Sequence, residues 1–391
     1  MLVDAHHGSD DCASHTGGRE VMRRPAALRT AGCVLLSLCV FAGCGRFLHP
    51  NVEAHFEGPF PQKLSAWHLF TAHSPALKPN RGVIPYDLNT PLFSDYSDKY
   101  RFVWMPSGTS AQYRDDGPFE FPVGTVLAKT FAFPVGERSA EKLIETRLLV
   151  HSKTGWVALP YVWDEKQSDA TLQLVPDPVP VKWTDTSGRP HDFTYVIPNA
   201  NECRECHDNQ KVLLPIGPKA RNLNREYAYA DGTENQLEHW ARVGYLQSLP
   251  AAAARPRAAK WDDPGSGSVA DRARAYLDNN CAHCHQPGGQ AGYTGVDLRL
   301  AQTDPAHQGF CKSPNSAGAV GALRYDVVPG RPNESILIYR LESTAPKVSM
   351  PALGRDVVHE EGVKLLRQWI ESLPGGCSDT ATRSQPSRHL G

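Results

Sequence analysis

The chain has 391 residues, with 41 Lys plus Arg against 42 Asp plus Glu and a formal net charge of −1. That balance supplies neither the electrostatic footprint of a nucleic-acid binder nor a polybasic membrane patch. Apolar residues make up 40%, and glycine and proline number 32 each. This excludes disordered, collagenous, coiled-coil and polytopic membrane chains and leaves a loop-rich globular protein of two to three domains. The 10 cysteines fall in groups.

Cys12, Cys33, Cys39 and Cys44 come first. Residues 31–44, AGCVLLSLCVFAGC, are an apolar run behind Arg23 and Arg24. The run is too short to span a bilayer and has the layout of an export signal. Its end, Phe41-Ala42-Gly43-Cys44, resembles the lipobox of bacterial lipoproteins. The resemblance implies cleavage before Cys44 and lipidation of that cysteine, giving an exported periplasmic protein anchored to a membrane, the outer one. Residues 1–43 are read as the leader, with Met22 the better start. Export also sets an oxidising compartment for the remaining cysteines.

Residues 44–90 are polar and proline-rich and read as a tether plus irregular structure packed on the next domain. Over 91–198 the texture is β. YRFVWM (100–105), TVLAKTFAF (125–133), ETRLLVH (145–151), GWVALPYVW (155–163), TLQLV (171–175) and DFTYVIP (192–198) are rich in β-branched and aromatic residues and bounded by turn formers. In the fourth run Val157, Leu159, Tyr161 and Trp163 share one face by the two-residue period. Six such runs predict a sandwich-like β domain.

Helical patterns take over after Asn199. TENQLEHWARVG (233–244) reads as a helix capped by Thr233 with Gln236 three residues on and Gly244 past its end. Residues 199–250 form a small segment, 251–267 a Pro/Ala/Gly/Ser linker, and 268–377 a last, all-α domain opening at Ser268 with Asp271 as capping partner. Its final helix carries Val363, Leu366, Ile370 and Leu373 on one stripe and stops at Pro374. Residues 378–391 read as a disordered tail. The fold class expected is therefore α+β multidomain.

One short motif occurs twice. Cys203-Arg204-Glu205-Cys206-His207 and Cys281-Ala282-His283-Cys284-His285 are both C-x-x-C-H, the attachment signature of haem c. Two thiols add to the haem vinyl groups, and the adjacent histidine becomes the proximal iron ligand. The spacing predicts two covalent haems, held by Cys203, Cys206, Cys281 and Cys284 with His207 and His285 on iron. The alternatives are a shared four-cysteine zinc site or two disulfides. Zinc ribbons space their pairs by about 15–20 residues, whereas 74 residues separate Cys206 from Cys281.

Residues 266–376 resemble a class I cytochrome c. The helix VADRARAYLDNN (269–280) runs into the second motif, Met350-Pro351 lies 65 residues after His285, and a helix follows at 360–373. The resemblance implies His285/Met350 ligation, a soft thioether that raises the reduction potential. For the first haem, LLPIGPKARNLN (213–224) resembles the Gly-Pro-x-x-x-Leu loop near the proximal histidine of that family, with Gly217 and Pro218 as the matching pair. Its sixth ligand is open: His239 and His191 are the candidates, Met105 and Lys219 further options, and five-coordination another. Cys311 and Cys377, the remaining cysteines, are expected to pair.

As a whole, the order of lipoprotein signal, β-rich region, C-x-x-C-H with LPIGPKARNLN, and cytochrome domain resembles a family of exported dihaem cytochromes of uncharacterised function. The stretch YDLNTPLFSDYSDKYRFVWMPSG (86–108) belongs to that resemblance, and no chemistry can be assigned to it from its residues. The leading expectation is electron transfer with a redox partner protein. One alternative is a peroxidase- or oxidase-like dihaem enzyme with an open first haem, for which Glu205 and Glu238 are the nearby acids. Another is a binding module in which Trp156, Trp163 and Trp183 line a groove, although core packing suits each of them.

Overall fold

The computed structural model describes residues 49–72, 77–135, 140–185, 188–315 and 320–377. The export signal, Met22, Cys44 and the tail 378–391 lie outside the described residues. No described helix is long and apolar enough to cross a membrane.

Six strands form one antiparallel meander: β1 (Ile84–Tyr86), β2 (Asp98–Trp104), β3 (Val126–Val135), β4 (Ala140–Ser152), β5 (Gly155–Trp163) and β6 (Ala170–Leu172). Each pairs with the next in chain order. The β5 bounds match the run read from sequence, and β2, β3, β4 and β6 overlap theirs. A hairpin of β7 (Asp177–Thr184) and β8 (Pro190–Ile197) lies beside the sheet, its Val181, Trp183, Tyr195 and Ile197 packed with Phe133 and Ile144. Strand β7 escapes the sequence pattern because Pro178 and Pro180 break its β texture.

The alternation of side chains gives the sheet two different faces. Phe102, Trp104, Ala128, Leu148, Leu159, Tyr161 and Trp163 make one apolar face. It is covered by the segment expected to pack there: Leu64, Trp67 and Leu69 are buried on it, and Trp67 Nε1 donates to Tyr161 Oη at 2.7 Å. The opposite face carries Val103, Leu127, Leu149 and Ala158, and the helical segments settle on it.

Those helices are α1 (Ala200–His207), α2 (Ala220–Leu223) and α3 (Gln236–Arg242), while α4 (Val269–Asn280), α5 (Ile336–Glu342) and α6 (Glu360–Ser372) build a core of their own. The cap of α3 differs from expectation. Asn235 is its N-cap, accepting from Leu237 N, while Thr233 sits in a short strand, Gly232–Asn235. Thr233 pairs there with Ala228, and this strand pairing outcompetes the capping box. Gly244 does follow the helix with φ +82°. Helix α4 begins with the expected reciprocal cap of Ser268 and Asp271. It packs against α6, whose Val363, Leu366 and Ile370 are buried in a shared core with Tyr276 and Leu277. Gly362 permits this approach, since a Cβ there would lie 2.6 Å from Tyr276 Oη.

The segment expected as a linker is packed. Ala258 N donates to Arg221 O at 2.9 Å, Thr90 Oγ1 donates to Ala259 O at 2.8 Å, and Trp261 N donates to Thr90 Oγ1 at 3.2 Å. Residues from His49 onward group into one contact unit.

Candidate cofactor and metal centre

The first C-x-x-C-H motif is helical because Asn199 caps it. Asn199 Oδ1 accepts from the Asn201 and Glu202 amides, and Glu202 returns the bond to Asn199 N. This capping box on α1 went unread in the sequence, although Asn-x-x-Glu is its signature. Helix α1 lies against β5, and Cys203 is buried beside Ala158 and Leu213.

His207, the last residue of α1, is held at Nδ1. That nitrogen donates to Leu214 O at 2.8 Å, and Leu214 N donates back to His207 O at 2.8 Å. Because a carbonyl only accepts, the proton sits on Nδ1 and Nε2 keeps its lone pair. Burial pushes the imidazole down to about 4, so it is neutral. The loop after α1 thus stands beside this histidine through Leu214. A Cβ at Gly217 would meet Leu88 Cδ1 at 3.0 Å, so a larger residue there would push Leu88 aside.

Cys203, Cys206 and His207 open together on a cavity of about 330 Å3. Its walls are apolar over Leu88, Leu127, Leu149 and Ile216, with Arg101, Lys129 and Arg147 supplied by the sheet. Much of the stretch 86–108 lies here too: Leu92, Phe93 and Asp95 line the same cavity. Asp95 accepts from the Asp356 and Val357 amides at 2.7 and 2.9 Å. Burial outweighs those bonds and raises its carboxyl to about 6.

The two histidine candidates for a sixth ligand go elsewhere, while Lys219 lines a neighbouring cavity with Cys206 and His207. His239 does not line this cavity; it stacks on Tyr229 at 3.5 Å between ring centres and pairs with Glu234 at 3.0 Å. His191 does not line it either; it stacks on Trp183 at 4.3 Å and pairs with Asp185 at 3.0 Å. Met105 is buried in the core with Trp240, and Lys219 Nζ lies 3.8 Å from Asp278. Glu205 is exposed, and Glu238 pairs with Arg255 at 2.8 Å. Trp163 and Trp183 are core residues, and Trp156 stacks on His151, so the three tryptophans line no common groove.

The second motif meets the first. Cys206, His283 and Cys284 bring their ligand atoms within 4.8 Å of one another. Gln210 N donates to Gly288 O at 3.0 Å, and Asn209 bridges to Gly289. The Cys284 thiol hydrogen-bonds to Cys206, which holds the Cys206 thiol below its ordinary value and raises Cys284. Cys203 and Cys281 stay outside this cluster, and burial pushes Cys281 up to about 12.

Three polar residues at the end of α4 lock the meeting. Asp278 receives Arg221 Nε and Nη2 at 3.0 and 2.9 Å. Asn279 accepts from Asn222 Nδ2 at 3.0 Å and donates to Thr90 O. Asn280 Oδ1 accepts from Phe93 N at 2.7 Å. All are buried, so DNN-CAHCH and KARNLN are mates across the fold. No single-sequence signal announces that pairing.

Around the second motif His283 lines the same 330 Å3 cavity, whereas the space at Cys281 is small. His285 is neutral, lowered to about 4 by burial, and its buried Nδ1 has no hydrogen-bond partner among the described residues. Cys281 lines a crevice of about 10 Å3 with Pro351, Tyr276, Leu341 and Val363. Met350 is half-buried, its amide donating to Arg340 O at 3.2 Å. Cys311 and Cys377 lie at disulfide distance, 2.16 Å between sulphurs.

The chain matches no family model, no curated protein and no solved structure.

Proposed function

We propose that the chain is an exported dihaem c-type cytochrome that serves periplasmic electron transfer. The observation that carries this reading is the 330 Å3 cavity on which Cys203, Cys206 and His207 open together, with His207 Nδ1 committed to Leu214 O. Two thiols, one imidazole with a free Nε2 and an apolar wall fit a covalently held porphyrin. Cys281, Cys284 and His285 would hold the second, with Met350 as its sixth ligand. We read 91–198 as sandwich-like, on the strength of the β7–β8 hairpin beside the sheet. The pairing of α4 with α6 supports a class I cytochrome c domain over 268–377. Cys44 would carry the lipid anchor at the outer membrane, and the Cys311–Cys377 pair suits an oxidising compartment.

Iron supplies one-electron redox chemistry when bound. The protein's part is to fix the two attachment sites side by side: Cys206 and Cys284 touch, and the Asp278–Asn280 lock holds them there. Zinc on Cys206, His283 and Cys284 is the competing reading, favoured by that three-donor cluster. It leaves Cys203 and Cys281 without a role.

The test is the mass and visible spectrum of the full chain made with a haem-attachment system. Two covalent haems are expected. Apoprotein mass with stoichiometric zinc would overturn the proposal in favour of the metal site.

A further inference from the structure

The face of the sheet that lines the His207 cavity carries an uncommon row. Arg101 on β2 pairs directly with Lys129 on β3, and Lys129 with Arg147 on β4. All three line the cavity. Like charges directly opposite one another in an antiparallel sheet repel, and burial strengthens the effect.

The outer two members have carboxylates. Arg101 Nη1 reaches Asp87 at 2.8 Å, and Arg147 makes a two-pronged contact with Glu145 at 2.9 and 2.6 Å. Asp87 is shared with Arg225, also at 2.8 Å. Lys129, in the middle, has no carboxylate partner among the described residues; its ammonium sits 4.5 Å from the Phe131 ring centre. Burial first, then Arg101 and Arg147, hold its amine well below the ordinary lysine value. The acids on the cavity wall are engaged elsewhere: Asp95 with the Asp356 and Val357 amides, and Glu202 with the cap of α1. Asp356 lies on the loop after Met350, and Arg355 spends its guanidinium on the Leu341 and Ser343 carbonyls.

We propose that the Arg101–Lys129–Arg147 row is a carboxylate-binding site for the occupant of this cavity, and that Lys129 is the residue left free to receive it. The inference rests on the dihaem reading, under which those carboxylates are the propionates of the first haem. The β-rich region thereby acquires a role, because the sheet becomes the wall that orients the haem through its acidic edge. A lysine amine beside an anion regains its proton, so occupancy and the charge of the row rise together.

The experiment uses the full haem-loaded chain as wild type, Lys129→Gln and Lys129→Arg. It reads haem count by mass, the two midpoint potentials, the ferric electron paramagnetic resonance spectrum, and the redox-difference infrared bands of the haem carboxylates. Removing a positive charge beside haem favours the ferric state. Lys129→Gln is therefore expected to keep two haems and an unchanged resonance spectrum, to lower one midpoint only, and to move the carboxylate bands. Lys129→Arg should restore the wild-type midpoint. Loss of one haem in Lys129→Gln but not in Lys129→Arg would also support the site. Two haems with both midpoints and bands unchanged would overturn it while leaving the dihaem reading intact. A change from low to high spin would overturn it by making Lys129 an iron ligand. Loss of a haem from both variants would overturn the charge argument, and a wild type without haem would overturn the inference together with the reading it rests on.

Discussion

Arg221 shows how much a single side chain carries here. It is buried, donates twice to buried Asp278, and reaches Asp116 at 2.6 Å. Removing one partner of a buried ion pair strands the other charge, at a cost of about 3–5 kcal/mol. Lys219, 3.8 Å from Asp278, compensates in part. Arg221→Ala is therefore expected to lower unfolding stability by about 3 kcal/mol, read by denaturant titration at neutral pH. The pH dependence has a definite sign. Burial alone would raise the Asp278 carboxyl, but Lys219 and Arg221 more than offset it and hold it below its ordinary 3.8. A depressed carboxyl contributes stability that is present above the unfolded value and lost as pH falls through the folded one. The wild type should lose this contribution only below about pH 4, and Arg221→Ala should show a shallower acid slope there. Equal slopes in the two proteins would remove Arg221 from the account. Met350 supports a second residue-level expectation. If it ligates the second iron, Met350→Ala lowers one midpoint potential and turns one haem high-spin, because thioether sulphur favours ferrous iron. An unchanged spectrum would dismiss the ligand.

At the scale of elements, one close approach sets how the last helix packs. Gly362 brings α6 onto α4 at Tyr276, where the Tyr276 hydroxyl and His359 Nδ1 lie 2.8 Å apart. An exposed helical glycine gains about 1 kcal/mol when replaced by alanine. Here the new Cβ would sit 2.6 Å from two buried polar atoms. Gly362→Ala should instead cost about 1–3 kcal/mol, the usual range for overpacking, measured as a drop in thermal midpoint. The cap of α1 offers a complementary change. Asn199→Ala removes a capping box ahead of the first motif and should cost about 1 kcal/mol, while Asn199→Asp retains most of it.

These elements also show what a sequence can and cannot disclose. Strand β5 and helix α4 were legible residue for residue, because alternation and a Ser-x-x-Asp cap are local signals. The C-x-x-C-H motifs were legible because their spacing is local too. Lys129 was visible in principle: Leu127, Lys129 and Phe131 share one face of a strand otherwise apolar on that side. Its neighbours Arg101 and Arg147 are aligned only by register, which no single strand reveals. The same holds for Thr233, where a cap signal yielded to a strand partner, and for His239 and His191, which aromatic stacking and nearby carboxylates claim first.

For the whole molecule, the decisive feature is that the motifs, 73 residues apart in the chain, are adjacent in space. A free linker over 251–267 would let the two C-x-x-C-H motifs drift apart. Instead that segment is stitched to Arg221 and Thr90, and Asn224 Nδ2 donates to the Arg255 and Pro256 carbonyls at 3.3 and 3.2 Å. Backbone held in this way opens to a protease only at a cost set by local unfolding. Limited proteolysis of the native protein should therefore spare 251–267. Heat should unfold the sheet and the α4–α6 core in one transition, with far-ultraviolet circular dichroism and tryptophan fluorescence signals coinciding. Separate transitions, or early release of a C-terminal fragment, would mean that the Asp278–Asn280 lock does not hold. If it holds, the distance between the two sites is set by the fold and not by domain motion. Under the dihaem proposal, electron exchange between two haems held there should then be insensitive to solvent viscosity, which flash-reduction kinetics in glycerol mixtures would read directly.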